Sequence, residues 1–216
     1  FNSILSVTNF GASEYGISFV NPFSGVFYDR KAGVLERPPV PKESLERIKA
    51  KCLEIDDDLR WLIALLSDTG MRLSEAVGLI RDDVVLDHKY PHINLKPHPW
   101  RSLKTVGSKR QIPLVGAALE AMKIMHRHSQ HPFLFKNYTD KNRCNGNSAS
   151  AALNKWLKPR VPQGCVVHSF RHSMRDRLRA VDVNSEIIDD ICGWSSQSVG
   201  QSYGDGYSLE QKYNAI

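Results

Sequence analysis

HSFRH at residues 168–172 opens a predicted helix that extends to about residue 181. Apolar residues recur along it every three or four positions, which predicts one buried face. Arg171 follows His168 by three positions, and Arg175 lies four further on, so these side chains share a neighbouring face and can meet one anion. Free backbone N–H groups at the start of a helix also favour a phosphate. Taken alone, so short a pattern better fits a capping histidine and a surface arginine.

A second cationic stretch, TGMRLSE at residues 69–75, lies between two predicted helices. The first helix ends at Gly70, because glycine tolerates the left-handed conformation common at helix C-termini. Ser74 is expected to cap the second helix. Arg72 therefore lies in a turn from which its side chain can enter a cleft, and Glu75 can orient it through a charge-assisted bond. The alternative is a surface Arg–Glu pair of little energetic value.

Strand-like patterns follow the second of these helices. Three short, turn-bounded runs at 84–86, 93–95 and 111–114 predict a small three-stranded antiparallel sheet. Pro113 places the last strand at an edge of the sheet, or lies at the end of that strand. Helices are expected at about 116–127, 147–157, 168–181, 184–192 and 197–203, with a short tail helix after 208. The predicted fold class is α+β and mainly helical.

The loop before the last strand carries two lysines, Lys104 and Lys109. A lysine on a hairpin loop can reach a leaving oxygen and protonate it as a general acid. Both lysines are candidates for that role. The alternative for each is a solvated surface charge, which describes most loop lysines.

The C-terminal part of the chain contains Trp194 after a glycine, followed by Tyr203 and Tyr207. An indole N–H is a donor and can bond a phosphate oxygen, and a core tryptophan at a helix junction is an equal alternative. Most tyrosine side chains serve packing. Tyr203, however, lies among the small and polar residues SVGQSYG at 198–204, which do not resemble a core.

The composition indicates a basic chain that can build a hydrophobic core. It has 216 residues, of which 41% are hydrophobic, and a formal net charge of +6 that suits a polyanionic partner. The four cysteines form no CxxC pair, which favours a reducing compartment over a disulfide framework. No apolar run approaches the roughly 20 residues of a membrane-spanning helix. The carboxylates show no metal-ligand spacing with a histidine, so we expect metal-free chemistry.

A proline cluster, PPVP at residues 38–41, predicts a domain boundary, because proline stiffens the chain and blocks helix. Residues 1–37 lack sustained periodicity. We expect them to be the tail of another domain with a linker, and residues 38–216 to form one large domain.

Together these segments resemble the catalytic domain of the tyrosine recombinases, the phage-integrase family. The first box of that family resembles Thr-Gly-x-Arg-x-Ser-Glu, as at 69–75, and the second resembles His-x-x-Arg-His, as at 168–172. The hairpin pattern Lys-Thr-x-x-Ser-x-Arg-x-Ile-Pro-Leu matches 104–114. The family places its nucleophilic tyrosine nine residues after a Gly-His or Gly-Trp pair, which is the spacing from Trp194 to Tyr203. Four motifs in this order form a specific signal, although each is short.

The resemblance implies a role for each candidate residue. Arg72 and Arg171 would clamp the scissile phosphate, and Glu75 would be the supporting carboxylate. The remaining catalytic residues would be Lys104 as general acid, His168 and Trp194 as ligands of phosphate oxygens, and Tyr203 as nucleophile. Further DNA contacts are expected from Arg101, Lys109, Arg110 and Arg175. Residues 1–37 would be the tail of an N-terminal core-binding domain, and residues 38–216 the catalytic domain.

The implied function is that of a site-specific recombinase or integrase of a phage or mobile element. It would cut and rejoin double-stranded DNA through a 3′-phosphotyrosyl intermediate, without metal, ATP or another cofactor. A homotetramer on DNA and a location on the bacterial nucleoid in the cytoplasm are expected, with no membrane partner. Two alternatives remain: a type IB topoisomerase-like enzyme that relaxes supercoils, and a catalytically inactive DNA-binding regulator.

Overall fold

The computed structural model describes residues 2–27, 29, 37–105, 108–128, 130–194 and 206–216. The chain divides into two compact units, Phe1–Glu36 and Arg37–Ile216. This division lies close to the boundary expected from the proline cluster. The assignment of residues 1–37 to a core-binding domain stays a prediction. Within the described part of the chain, no helix combines the length and the apolar character needed to cross a membrane.

The first unit contains one described helix, α1 (Asn2–Glu14). After this helix the chain turns, and Asn21 donates a side-chain hydrogen bond to Asn9 at 2.6 Å. Large apolar side chains on the helix are exposed, among them Val7 and Phe10.

The second unit contains the other described elements. Its helices are α2 (Lys42–Ile55), α3 (Asp58–Thr69), α4 (Leu73–Val77), α5 (Gly116–His128), α6 (Gly146–Leu157), α7 (Ser169–Arg179), α8 (Ser185–Cys192) and α9 (Leu209–Ala215). A 3-10 helix covers Arg81–Asp83, and the strands are β1 (Val84–Val85), β2 (His92–Leu95) and β3 (Arg110–Pro113). The predicted class, α+β and mainly helical with a small antiparallel sheet, is confirmed. The predicted helix at 197–203 falls outside the described residues.

Helix α3 is the centre of the hydrophobic core. Every residue from Trp61 to Thr69 is buried, because α3 packs against α2, α5 and α7. The carboxylate of Asp57 caps the helix by accepting the backbone N–H of Arg60 at 3.0 Å. The helix ends at Gly70, as the sequence predicts.

Gly70 must be glycine for two reasons. Its φ of 59° lies in the left-handed region, where a side chain is strained. A Cβ atom at this position would also lie 3.1 Å from Sγ of Cys192 and 3.1 Å from Cγ of Met174. The end of α3 is therefore packed tightly against α7, which carries Arg171, and against the end of α8, which Trp194 follows.

The sheet is antiparallel with the order β1-β2-β3. Ile93 of the central strand pairs with Val84 on one side and with Ile112 on the other. Pro113 is the last residue of the edge strand β3, as expected from its missing N–H. Along β3 the side chains alternate, so that Arg110 and Ile112 are buried and Gln111 is exposed.

The expected cap of α4 is wrong. The helix begins at Leu73, so Ser74 is its second residue and Arg72 takes the capping position. The backbone N–H of Arg72 donates to the carboxylate of Glu75 at 2.8 Å. Glu75 therefore stabilises the start of α4 from within the helix. Arg72 lies just before that start, in the turn between α3 and α4.

Candidate active site

The turn between α3 and α4 holds Arg72 in a fixed orientation. Its guanidinium donates to Glu75 at 2.6 Å and to the carbonyl oxygen of Gly193 at 2.9 Å. Arg72 also lies 3.4 Å from the hydroxyl of Ser108 in the loop before β3. One side chain thus ties together α4, the end of α8 and that loop.

Glu75 is the buried carboxylate between two arginines. One of its oxygens accepts from Arg72, and the other accepts from Arg110 at 3.0 Å. Burial by itself would raise the pKa of Glu75, but the charge and hydrogen bond of Arg110 and the bonds from Arg72 outweigh it. The pKa is lowered, so the carboxylate is ionised at neutral pH and balances part of the positive charge.

Arg110 lies in the interior, and its expected contact with DNA stays a prediction. Its side chain is 1% exposed and donates to Glu75, to the carbonyl oxygen of Ser108 at 2.8 Å and to that of Ile191 at 2.8 Å. A Cβ atom on Gly193 would lie 2.6 Å from Nη1 of Arg110. Arg110 therefore joins β3, α4 and the end of α8 around Glu75.

Arg101 is also buried, and its expected contact with DNA likewise stays a prediction. The guanidinium pairs with Asp83 at 3.3 Å and donates to the carbonyl oxygens of Glu75 at 3.0 Å and Lys96 at 2.6 Å. Its side chain is 1% exposed. Its role is to bind the 3-10 helix, α4 and the end of β2 to one another.

Arg171 lies on α7 beside the end of α3. Its Nη1 donates to the carbonyl oxygen of Gly70 at 2.6 Å. Nη2 is buried and has no hydrogen-bond partner among the described residues. Burial and the nearby charges of Arg72 and Arg110 lower the pKa of Arg171 to about 10, so the group remains charged at neutral pH. A buried donor without an acceptor is costly, and an anionic oxygen would satisfy it.

Trp194 follows the end of α8 and packs against two arginines. The guanidinium carbon of Arg171 lies 4.4 Å from the centroid of the indole ring, and that of Arg175 lies 4.9 Å from it. Such contacts attract a cation to the face of the ring. Gly193, with a φ of 68°, makes the turn that brings Trp194 to this position. Trp194 therefore lies beside Arg171 and Arg175 of α7, and its bond to a phosphate oxygen stays a prediction.

His168 immediately precedes α7, and its side chain is exposed to a cavity. Partial desolvation, followed by the positive charges of His172, Arg171, Arg37 and Arg72, lowers the pKa of His168 to about 4. The imidazole is therefore neutral at physiological pH. An anion placed among these groups would raise that pKa, because it offsets the repulsion between them.

The cavity has a volume of about 370 Å³ and is lined by Arg72, Lys104 and His168. These residues come from the turn before α4, the loop before β3 and the start of α7. Lys109, the rival of Lys104, is exposed and lines a different depression beside β3. The fold therefore separates the two lysines that the sequence left as alternatives. Among the described residues that line the cavity, none is acidic.

Sequence reasoning did not identify one wall of the cavity. This wall is formed by Gly146, Asn147 and Ser150 at the start of α6, with Arg37 at the rim. The segment has no charged residue that would mark it in the sequence. The buried position of Arg110, in contrast, had a signal, because the period of two along a strand places it on the same face as Ile112.

The two candidate tyrosines differ in what the structure describes. Tyr203 lies outside the described residues. The hydroxyl of Tyr207 donates to Glu186 at 2.8 Å, and this bond raises the pKa of Tyr207. In the described part of the chain, no group of three or more His, Cys, Asp or Glu side chains is arranged to hold a metal ion.

The mainly helical domain and its cationic cavity place the protein in the class of the tyrosine recombinase catalytic domains. The phage integrase family matches residues 40–208, and the chain belongs to this family.

Individual relatives support the same assignment. Tyrosine recombinase XerC of Neisseria meningitidis serogroup B is 29% identical over 183 residues, which cover 78% of this chain and 56% of the relative. Tyrosine recombinase XerC of Psychromonas ingrahamii is 26% identical over 204 residues, covering 88% of this chain and 63% of the relative. The chain thus spans little more than half the length of these relatives.

Solved structures show the same fold. The integrase of transposon Tn1549 in complex with circular intermediate DNA superposes with a TM-score of 0.65 at 17% identity, covering 93% of this chain and 74% of that one. A lambda integrase dimer bound to a COC′ core site gives a TM-score of 0.63 at 16% identity, covering 95% and 59%. At these identities the likeness establishes the architecture alone.

Proposed function

We propose that this chain supplies the catalytic part of a site-specific recombinase that cuts and rejoins double-stranded DNA. The observation that carries the proposal is the cavity where Arg72, Lys104 and His168 meet, although they are far apart in the sequence. Arg171 lies close enough that the charge of Arg72 lowers its pKa. A cluster of repelling cations is costly by itself, and a phosphodiester would relieve that repulsion.

The two clamp arginines suit the chemistry of a phosphorus atom under attack. Negative charge grows on the non-bridging oxygens in the transition state, and preorganised donors that meet this charge accelerate the reaction. A guanidinium presents planar forks that match phosphate oxygens. We assign this role to Arg72, oriented by Glu75, and to Arg171, whose buried Nη2 lacks an acceptor among the described residues.

The reaction would proceed by in-line displacement. The phenol of Tyr203 attacks phosphorus, the bond to the 5′ oxygen breaks, and a 3′-phosphotyrosyl ester forms. An ordinary tyrosine has a pKa near 10, so the phenol must lose its proton as it attacks. Lys104 protonates the 5′ oxygen as it leaves. Because the ester conserves the energy of the broken bond, rejoining to another strand requires no ATP.

His168 and Trp194 would bind phosphate oxygens. At neutral pH the imidazole of His168 is uncharged and donates through one ring nitrogen. The indole of Trp194 has only a donor to offer, and its stacking on Arg171 and Arg175 keeps it beside the clamp. We assign Lys109 and Arg175 to backbone contacts with DNA outside the scissile phosphate, which position the duplex rather than read its sequence.

The wider context of the reaction is also a proposal. We infer that several copies of the complete protein, a tetramer in the simplest case, assemble on DNA, since strand exchange needs two duplexes. Action on the nucleoid in the bacterial cytoplasm follows from the substrate. The comparisons give no support for the two alternatives, relaxation of supercoils by a type IB topoisomerase-like enzyme or an inactive DNA-binding regulator.

Trapping of the covalent intermediate tests the proposal. DNA sites are first selected by binding from a random-sequence pool, and nicked suicide duplexes are built from them. The wild-type chain is expected to form an adduct that is stable on a denaturing gel. Tyr203→Phe should abolish it. Tyr207→Phe is the matched control and should retain it, because the hydroxyl of Tyr207 is already engaged with the carboxylate of Glu186 at 2.8 Å.

The outcomes separate the proposed function from its rivals. Adduct formation that depends on Tyr207 would move the nucleophile. Binding without any adduct would favour the inactive regulator. Relaxation of a supercoiled plasmid that lacks the selected site would favour the topoisomerase-like enzyme.

A further inference from the structure

Asn154 forms a bridge inside the second unit that the reaction described above does not use. It lies in the middle of α6, and its side-chain Oδ1 accepts the backbone N–H of Val167 at 2.8 Å. Its Nδ2 donates to the hydroxyl oxygen of Ser150, one helical turn earlier, at 3.1 Å. A single amide thus joins α6 to the segment that leads into α7.

Both ends of this bridge form part of the wall of the candidate active site. Ser150, Val167 and His168 line the same cavity of about 370 Å³. Val167 is the residue before His168, so a bond to its N–H constrains the backbone from which the imidazole projects. The hydroxyl of Ser169 supplies a neighbouring constraint by accepting the N–H of Val166 at 3.1 Å.

The segment between α6 and α7 needs such a constraint. It follows Leu157 and contains Pro159, Pro162 and Gly164, the last with a φ of 89°. Prolines donate no N–H, and a loop without a regular ladder depends on side chains to satisfy its backbone groups. The amide of Asn154 performs this function at the end of the segment nearest the cavity.

We propose that Asn154 is a positioning residue for DNA cleavage, which sets the place of His168 against the scissile phosphate through the backbone of Val167. This inference rests on the proposed function. A catalytic group must be held within a fraction of an ångström of its productive position, and a shift of about 1 Å can cost about 100-fold in rate. Loss of the bridge therefore acts on the chemical step more than on binding, since the DNA-facing cations stay in place.

Two substitutions of Asn154 separate positioning from bulk stability. Asn154→Leu keeps the branched shape and the number of heavy atoms of the side chain and removes both hydrogen bonds. Asn154→Asp keeps the acceptor for Val167, and the hydroxyl of Ser150 can donate to the new carboxylate. Asp57→Ala is the control for lost stability, because it removes the side-chain cap at the end of α3 opposite Gly70 and leaves both hydrogen bonds of Asn154 in place.

The experiment uses the 216-residue chain with the selected suicide duplexes, well below the melting temperature of each variant. We expect Asn154→Leu to lower the single-turnover cleavage rate at saturating DNA by about 10- to 100-fold. The Kd for DNA should change by less than about threefold. Asn154→Asp should restore most of the rate, and Asp57→Ala should cleave like wild type. Hydrogen exchange at the amide of Val167 should accelerate in the leucine variant alone.

Several results would overturn the inference. One is a wild-type rate in folded Asn154→Leu, and another is an aspartate variant as slow as the leucine variant. If the leucine variant does not fold, Ser150→Ala, which removes half of the bridge, should still lower the rate severalfold. A wild-type rate in Ser150→Ala would then refute the role. A wild-type chain that binds its selected duplex but forms no adduct would refute the proposed function, and the inference with it.

Discussion

The substitution Glu75→Gln tests whether the carboxylate of Glu75 holds Arg72 and Arg110 together. The carboxylate of Glu75 is 3% exposed, and its oxygens accept from Arg72 at 2.6 Å and from Arg110 at 3.0 Å. Glutamine keeps the shape and one acceptor oxygen but removes the charge. Arg110 then remains in the interior without its counterion.

The expected loss of stability follows from the burial of Arg110. Removal of one partner from a buried ion pair costs about 3–5 kcal/mol, because the other charge is left uncompensated. Because glutamine retains an amide oxygen as an acceptor, we expect a cost at the lower end of this range, about 3 kcal/mol. For a protein of this size, each kcal/mol lowers the melting temperature by about 2–4 °C, so Tm should fall by about 6–12 °C.

The difference in the free energy of unfolding between wild type and Glu75→Gln should also depend on pH. The folded-state pKa of Glu75 is lowered from its ordinary value of 4.5. The contribution of the ionised carboxylate to the free energy of unfolding is therefore complete above pH 4.5. It is lost as the pH falls through the lower folded-state pKa. The free-energy difference between wild type and Glu75→Gln should therefore be constant above a pH of about 4.5 and should narrow below it. Urea unfolding followed by circular dichroism between pH 3 and pH 8 measures this difference.

Glu120→Gln is the matched control. Glu120 pairs with Lys123 at 2.9 Å, but both side chains are about half exposed, so the loss should be below about 1 kcal/mol. If Glu75→Gln costs no more than Glu120→Gln at pH 7, then the carboxylate does not hold the arginines together, and the reasoning about the site is refuted.

Gly70→Ala should destabilise the protein by about 1–3 kcal/mol in urea unfolding, because φ is 59° and the new methyl group meets packed neighbours. Gly11→Ala, inside helix α1 with open space around it, should be neutral or stabilising by up to about 1 kcal/mol, because alanine favours a helix over glycine. Arg101→Met should unfold more easily and leave the salt dependence of DNA binding unchanged. Lys109→Met should leave stability unchanged and reduce the slope of log Kd against log salt by about 1. The reverse pattern would show that Arg101 contacts DNA. His168 should titrate near pH 4 by NMR in the free chain and at a higher pH with DNA bound. Because the unfolded chain binds the proton of His168 more tightly than the folded chain does, the free energy of unfolding should fall as the pH drops from about 6.5 towards 4. An unshifted titration of His168 near pH 6.5 would contradict the cationic cavity.

Much of the fold follows from local patterns in the sequence. The largely apolar run at 59–66, followed by Gly70, predicts α3 and its C-terminal end. The short, turn-bounded run at 111–114 predicts β3 to within one residue, and Pro113 predicts that this strand lies at an edge or ends there. These predictions succeed because glycine turns and the missing N–H of proline act within a few residues.

Predictions about charged side chains succeeded less well. Arg101 and Arg110 were expected on the DNA-binding surface, and both are buried. The environment of a long basic side chain depends on which distant element packs over it. Arg110, for example, donates to Ile191, 81 residues away along the chain. The period of two along β3 indicates that Arg110 faces inward, but no local pattern indicates which partners it meets there.

The sequence by itself therefore determined the family, the order of the helices and strands, and the chemical groups available to bind a phosphate. Only the tertiary structure decided that Lys104 rather than Lys109 lines the cavity, that Arg110 meets Glu75, and that Asn154 accepts the backbone N–H of Val167. The physical reason is that helix and strand formation is governed by neighbours in the chain. The position and charge state of a side chain are governed by neighbours in space.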